Sequence, residues 1–131
     1  MTPKAPQPFA PGRHLIAAHG GGAFAFAGMR HQGSIIATPN GVQALEAATL
    51  AEMTPGALRA LFDESAARPG SIEFLVIGTG AEIAPLSGAL KAALRESRLR
   101  FDAMATGPAL RVYNIMQDEG RRVAAALIAA P

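Results

Sequence analysis

Apolar positions change their spacing near the middle of the chain. Before residue 50 they fall in short runs broken every few residues by glycine or proline; after it they recur at helical spacing between strand-like blocks. Four prolines (Pro3, Pro6, Pro8, Pro11) predict an extended, flexible tail over residues 1–12, with a polyproline recognition segment as the sharper alternative. HLIAA at 14–18 and AFAF at 23–26 predict a hairpin around Gly20, Gly21 and Gly22. A phosphate-cradling loop at those glycines lacks support, because no Gly-Lys-Ser/Thr follows and no helix opens after them. SIIAT at 34–38, the Pro39-Asn40-Gly41 turn and VQAL at 42–45 predict a second strand pair. Short, turn-linked strands of this kind make an antiparallel layer.

The second half predicts alternating helices and strands. Thr54-Pro55 is a helix start, hydroxyl at the N-cap and proline at N1. Leu58, Leu61, Phe62 and Ser65 share the inner face, while Arg59, Asp63 and Glu64 point outward, and Pro69-Gly70 ends the unit. A buried strand at 72–77 runs into Gly78-Thr79-Gly80. Pro85 opens a helix over 86–97 that buries Leu86, Ala89, Leu90, Ala93 and Leu94 and carries Lys91, Arg95 and Arg98 as a cationic stripe. FDAMA at 101–105 completes a parallel βαβ unit with a right-handed crossover. A third helix at 109–119 places Ala109, Val112, Tyr113 and Met116 on one face and Arg111, Asn114 and Asp118 on another, with Gly120 as its stop. RVAAALI at 122–128 fits a helix by alanine propensity and a strand by its β-branched ends.

Composition narrows the chemistry. The chain has 131 residues, enough for one domain with a single core, here 13–131. Half its residues are apolar and only 5% aromatic, so the core is built largely from small aliphatic side chains. A net charge of +2 and the scarcity of stacking aromatics argue against nucleic acid as a partner. Without cysteine there is no thiolate nucleophile, disulfide or Cys-ligated zinc. The longest apolar runs, such as VAAALIAA, are too short to span a bilayer, so no membrane insertion is expected. The first residues, MTPKAPQPFAPGR, lack the apolar region of a secretory signal, and a cytoplasmic location is expected.

In a parallel pair both strands end on one edge of the sheet, which would set Gly78-Thr79-Gly80 beside Thr106-Gly107, each before a helix N-terminus. Free amides, the Thr79 and Thr106 hydroxyls and Arg111 could there hold a small anion, with Glu82 as a general base and Tyr113 and Asn114 as further candidate ligand-binding residues. The alternative is that the glycines only permit tight turns, the threonines only cap, and Glu82 favours a helix N-terminus. His14, His19 and His31 lack metal-ligand spacing, no Gly-x-Ser-x-Gly is present, and no cofactor motif is found. Asp118-Glu119 followed by Arg121-Arg122 is expected to pair internally.

ALRVYNIMQDEGRRVAAALIAAP, with FLVIGTG upstream and GGGAFAFAGMRHQGSI near the start, resembles the family of mitochondrial respiratory complex I assembly factor three and its bacterial relatives of unknown function. The resemblance spans residues 12–131, and Tyr113-Asn114, Glu119-Gly120-Arg121 and Gly78-Thr79-Gly80 carry it; Val112 stands where the family often has threonine. It implies a three-layer α/β domain: a central mixed sheet of about five strands, flanking helices, and 122–128 as the last strand, antiparallel to its neighbours. It further implies an assembly or interaction role in place of turnover, with protein partners such as respiratory-complex subunits. For such a role, exposed apolar patches or the cationic stripe of Lys91, Arg95 and Arg98 would be the contact surface. Tyr113, Asn114 and Arg121 match the family motif, and their structural role would be to dock the last helix and satisfy the reversal at Gly120.

Overall fold

A computed structural model describes residues 10–19 and 21–131; Gly20 and most of the expected tail lie outside the described residues. The elements in chain order are β1 (Ala10–Pro11), β2 (Ala17–His19), β3 (Ala23–Phe26), β4 (Met29–Gln32), β5 (Ile35–Thr38), β6 (Gly41–Ala44), a 3-10 turn (Leu50–Glu52), α1 (Arg59–Ala67), β7 (Phe74–Gly78), α2 (Gly88–Glu96), β8 (Phe101–Met104), α3 (Thr106–Asp118) and β9 (Val123–Leu127). The main sheet has six strands in the order β1-β6-β5-β9-β7-β8, and β2-β3-β4 form a second, smaller sheet.

β9 decides the architecture. It is inserted between β5, to which it is antiparallel, and β7, to which it is parallel, so only one neighbour has the orientation the family resemblance implies. All five of its residues are buried. A strand covered on both faces reads as a continuous apolar run, which is why VAAAL shows no alternation. Its alanines let helices approach on both sides. Ala124 and Ala126 pack with Leu61 of α1 and with Leu90 and Leu94 of α2. Val123, Ala125 and Leu127 pack under Ala109, Tyr113 and Met116 of α3. Alanine's helical propensity, a fraction of a kcal/mol per residue, is overridden by the burial that a central strand position offers.

The mixed three-layer α/β domain is therefore present with six strands in its main sheet. The N-terminal strands divide between its layers. β5 and β6 join the main sheet. The small sheet instead covers α3, with Ile16, Phe24 and Phe26 in the same core as Tyr113. β4 is not apparent in the sequence. Its MRHQ is mostly exposed, and its two-residue turn is Ala27-Gly28, at φ +51° and +76°, where Asn-Gly is the usual signal.

Local boundaries differ where capping competes with pattern. Residues 10–12, expected in the tail, form the sheet edge: β1 pairs with β6, Ala10 is buried, and the Gly12 N–H donates to Asn40 O at 2.8 Å. Thr54 Oγ1 accepts from the Ala57 N–H, but Gly56 weakens the first turn and the α-helix begins only at Arg59. α2 starts at Gly88, because Ser87 Oγ caps the Leu90 N–H at 3.2 Å. α3 starts at Thr106, three residues before the expected position. Pro108 is tolerated in that first turn, where its missing N–H has no intrahelical partner to lose.

Candidate functional site

β7 and β8 are adjacent and parallel, with Gly78 level with Met104, so the two strand ends share one rim as expected. The helices do not converge there equally. α3 begins two residues after β8, whereas α2 begins ten residues after Gly78.

The rim's polar groups are spent on one another. Thr106 Oγ1 donates to Ile128 O at 2.7 Å and accepts the Gly80 N–H at 2.9 Å. The Thr106 N–H donates to Gly80 O at 2.8 Å. Thr79 Oγ1 donates to Glu82 O at 2.7 Å, with Met104 O 3.2 Å away. The Thr79 N–H also bonds Met104 O, and the Ile128 N–H bonds Gly78 O. Both threonines are buried. These bonds lace the ends of β7, β8 and β9 to the start of α3, as buried polar groups require.

Gly78 serves the same junction. A Cβ there would lie 2.8 Å from Thr106 Oγ1 and 3.0 Å from Thr106 Cα. The glycine thus admits the first turn of α3 against the strand. Gly80 holds φ +111°, a conformation open in practice to glycine. Glu82, Gly107 and Arg111 stand exposed around this closed junction.

Tyr113 and Asn114 lie two turns further along α3, about 10 Å from Thr106 at 1.5 Å per residue. They hold the N-terminal segment. Asn114 accepts the Ile16 N–H through Oδ1 at 2.9 Å and donates Nδ2 to Ile16 O at 2.7 Å, copying a strand neighbour. Tyr113 donates its hydroxyl to His14 O at 3.1 Å and accepts from Gln117 Nε2 at 3.2 Å. Burial pushes the Tyr113 hydroxyl up to about 12, against a smaller opposing effect of Arg13. Arg13 donates to Gly120 O and Arg121 O at the end of α3. These residues therefore clasp segment 13–16 onto α3.

The charges near Gly120 pair differently from expectation. Arg121 and Arg122 do not turn to Asp118-Glu119. Both reach Glu73 at the start of β7, at 3.2 and 4.0 Å. The Arg121 bond, helped by the Arg122 N–H, holds the Glu73 carboxyl below its ordinary value. Glu64, expected to face outward, accepts from Thr38 Oγ1 at 2.5 Å and ties α1 to β5.

Of the expected cationic stripe, Lys91 is half-buried and Arg95 exposed on α2, while Arg98 lies exposed in the reversal beyond the helix end, where φ is +56°; among the described residues none has an ion-pair partner. They run between two open clefts. One, of about 390 Å³, is lined by Ile83, Pro85, Leu86, Lys91, Phe101 and Asp102. The other, of about 600 Å³, holds Arg98 and Arg100 with Glu73 and Glu96, opposite Phe62 and Pro69. The sequence reading missed both, because each joins residues from separate elements.

Comparison with known proteins agrees with this fold. A family model described as a protein of unknown function (DUF498/DUF598) matches residues 16–128. An uncharacterized protein of Rhodobacter capsulatus is 34% identical over 131 residues, spanning 100% of this chain and 95% of its own. A crystal structure described as an outer membrane protein from Bartonella henselae is 39% identical, with TM-score 0.85 over 93% of this chain and 99% of that one. The solution structure of the Rpa2829 protein from Rhodopseudomonas palustris is 40% identical, with TM-score 0.77 over 100% of this chain and 93% of that one. Among the described residues no helix is long and apolar enough to cross a membrane.

Proposed function

The chain belongs to the DUF498/DUF598 family, and from that premise we propose that it is a non-enzymatic interaction module of the assembly-factor type. Its contact surface is the cationic stripe of Lys91 and Arg95 on α2 and Arg98 just beyond the helix end. The observation that carries this reading is the closed junction at the strand ends. Of the groups best placed to hold a substrate, the Thr79 hydroxyl is engaged with Glu82 O, the Gly80 N–H with Thr106 Oγ1, and the Thr106 hydroxyl with Ile128 O. By contrast, the cations of the stripe have no ion-pair partner among the described residues. The sequence resemblance suggests respiratory complex I subunits as the partner class, presenting an acidic face in the cytoplasm.

Affinity capture from the native host tests the reading. Subunits of a respiratory complex should be recovered with the wild-type chain and lost with Lys91→Glu/Arg95→Glu. Recovery unchanged by the double charge reversal refutes the surface, and their absence from the wild-type capture refutes the partner class. A small-anion reading retains the exposed Gly107 at the α3 N-terminus and Arg111 one turn on. Phosphate-induced amide shifts confined to 78–82 and 106–111 would favour that reading over the interaction module.

A further inference from the structure

β8 is the last strand of the main sheet, so among the described residues one of its sides has no neighbour. The carbonyls of Arg100 and Met104 accept from Leu75 and Thr79. The even-numbered residues of β8 thus turn their backbone groups toward β7, and Phe101 and Ala103 turn theirs outward. An open edge of this kind is a template for another strand, which monomeric proteins usually shield. The shielding here is slight: Asp102 Oδ1 accepts the Ala103 N–H at 3.0 Å.

The edge is self-complementary. If Phe101 faces its own copy across a two-fold axis, their outward N–H and C=O groups exchange two hydrogen bonds. Arg100 then stands directly opposite Asp102 of the second copy, and Asp102 opposite Arg100 of the second copy. Side chains opposed in an antiparallel pair lie on one face, so both ion pairs form on the α3 side of the sheet. Arg100 and Asp102 are exposed, and among the described residues neither has an ion-pair partner. On the other face the half-buried Phe101 meets Phe101 of the second copy beside the cleft of about 390 Å³. Ile83, 71% exposed, forms part of that cleft. Moving the register by one residue on each chain would instead set Asp102 against Asp102. We propose that the chain forms a two-fold dimer through antiparallel pairing of β8 with β8 of a second copy, in the register that opposes Arg100 and Asp102.

Sedimentation of the full chain over a concentration series should give a mass near twice the 13.5 kDa of one chain. Arg100→Asp alone and Asp102→Arg alone each oppose like charges and should be monomeric. Their equimolar mixture restores opposite signs at both positions and should dimerise, as should R100D/D102R. A monomeric wild type overturns the proposal, including the case in which β8 receives an extended segment of a different protein. A dimer that survives in both single variants places the interface elsewhere and also overturns it. Failure of the mixture to pair overturns the register. Apart from any variant, dilution of labelled wild-type chain should shift amides at 100–104, and shifts confined to other elements count against β8. Arg95→Glu, on the α2 surface but outside the cleft beside Phe101, should leave the dimer intact, which separates this test from that of the α2 surface.

Discussion

Tyr113 gives the most direct physical test of the packing around α3. It is the chain's one tyrosine, and there is no tryptophan, so tyrosinate absorbance reports this residue alone. Its hydroxyl is buried, donates to His14 O and accepts from Gln117. Ionisation would strand a negative oxygen in that setting, and the folded-state value rises from 10.0 to about 12. At about 1.4 kcal/mol per pKa unit, this difference amounts to about 3 kcal/mol. The folded value lies above the unfolded one, so the contribution is fully present below pH 10 and is lost as pH rises toward 12. An absorbance titration, with circular dichroism to report folding, should find the midpoint near 12 while the chain stays folded. Denaturant unfolding across the same window should lose about 2–3 kcal/mol more for the wild type than for Tyr113→Phe. A midpoint near 10 in the folded protein would mean that water reaches the hydroxyl, and the clasp on segment 13–16 would be refuted.

Other consequences are local. Gly78→Ala drives a Cβ to 2.8 Å from Thr106 Oγ1 and should cost about 1–3 kcal/mol in denaturant unfolding; an unchanged midpoint would show that α3 can shift freely. Asn114→Asp keeps the acceptor for the Ile16 N–H but loses the donor to Ile16 O. It should cost about 1–3 kcal/mol and speed hydrogen exchange at residue 16, and unchanged exchange would contradict the clasp. α2 and α3 end in the same double-bonded reversal, with Arg98 at φ +56° and Gly120 at φ +75°. Arg98→Gly should therefore raise thermal stability by up to about 1 kcal/mol, and Gly120→Ala should lower it by a similar amount; equal signs would refute the argument.

Much of the fold follows from local rules that the chain states openly. Proline and glycine punctuation marks the short strands, helical spacing marks three inward faces, and FLVIG followed by FDAMA marks the parallel pair. Gly120 marks the end of α3 because a left-handed residue is needed there. Two matters are settled only by residues distant in sequence. The alanine run of β9 is a strand because a slot between β5 and β7 pairs its backbone and buries it on both faces. The promise of Gly78-Thr79-Gly80 as a site depends on where the Thr106 hydroxyl points, and it points to Ile128 O. Sequence spacing shows which donors and acceptors exist near a strand end. Their partners are assigned by tertiary contact, because a buried hydroxyl takes whichever carbonyl the packed fold brings within reach.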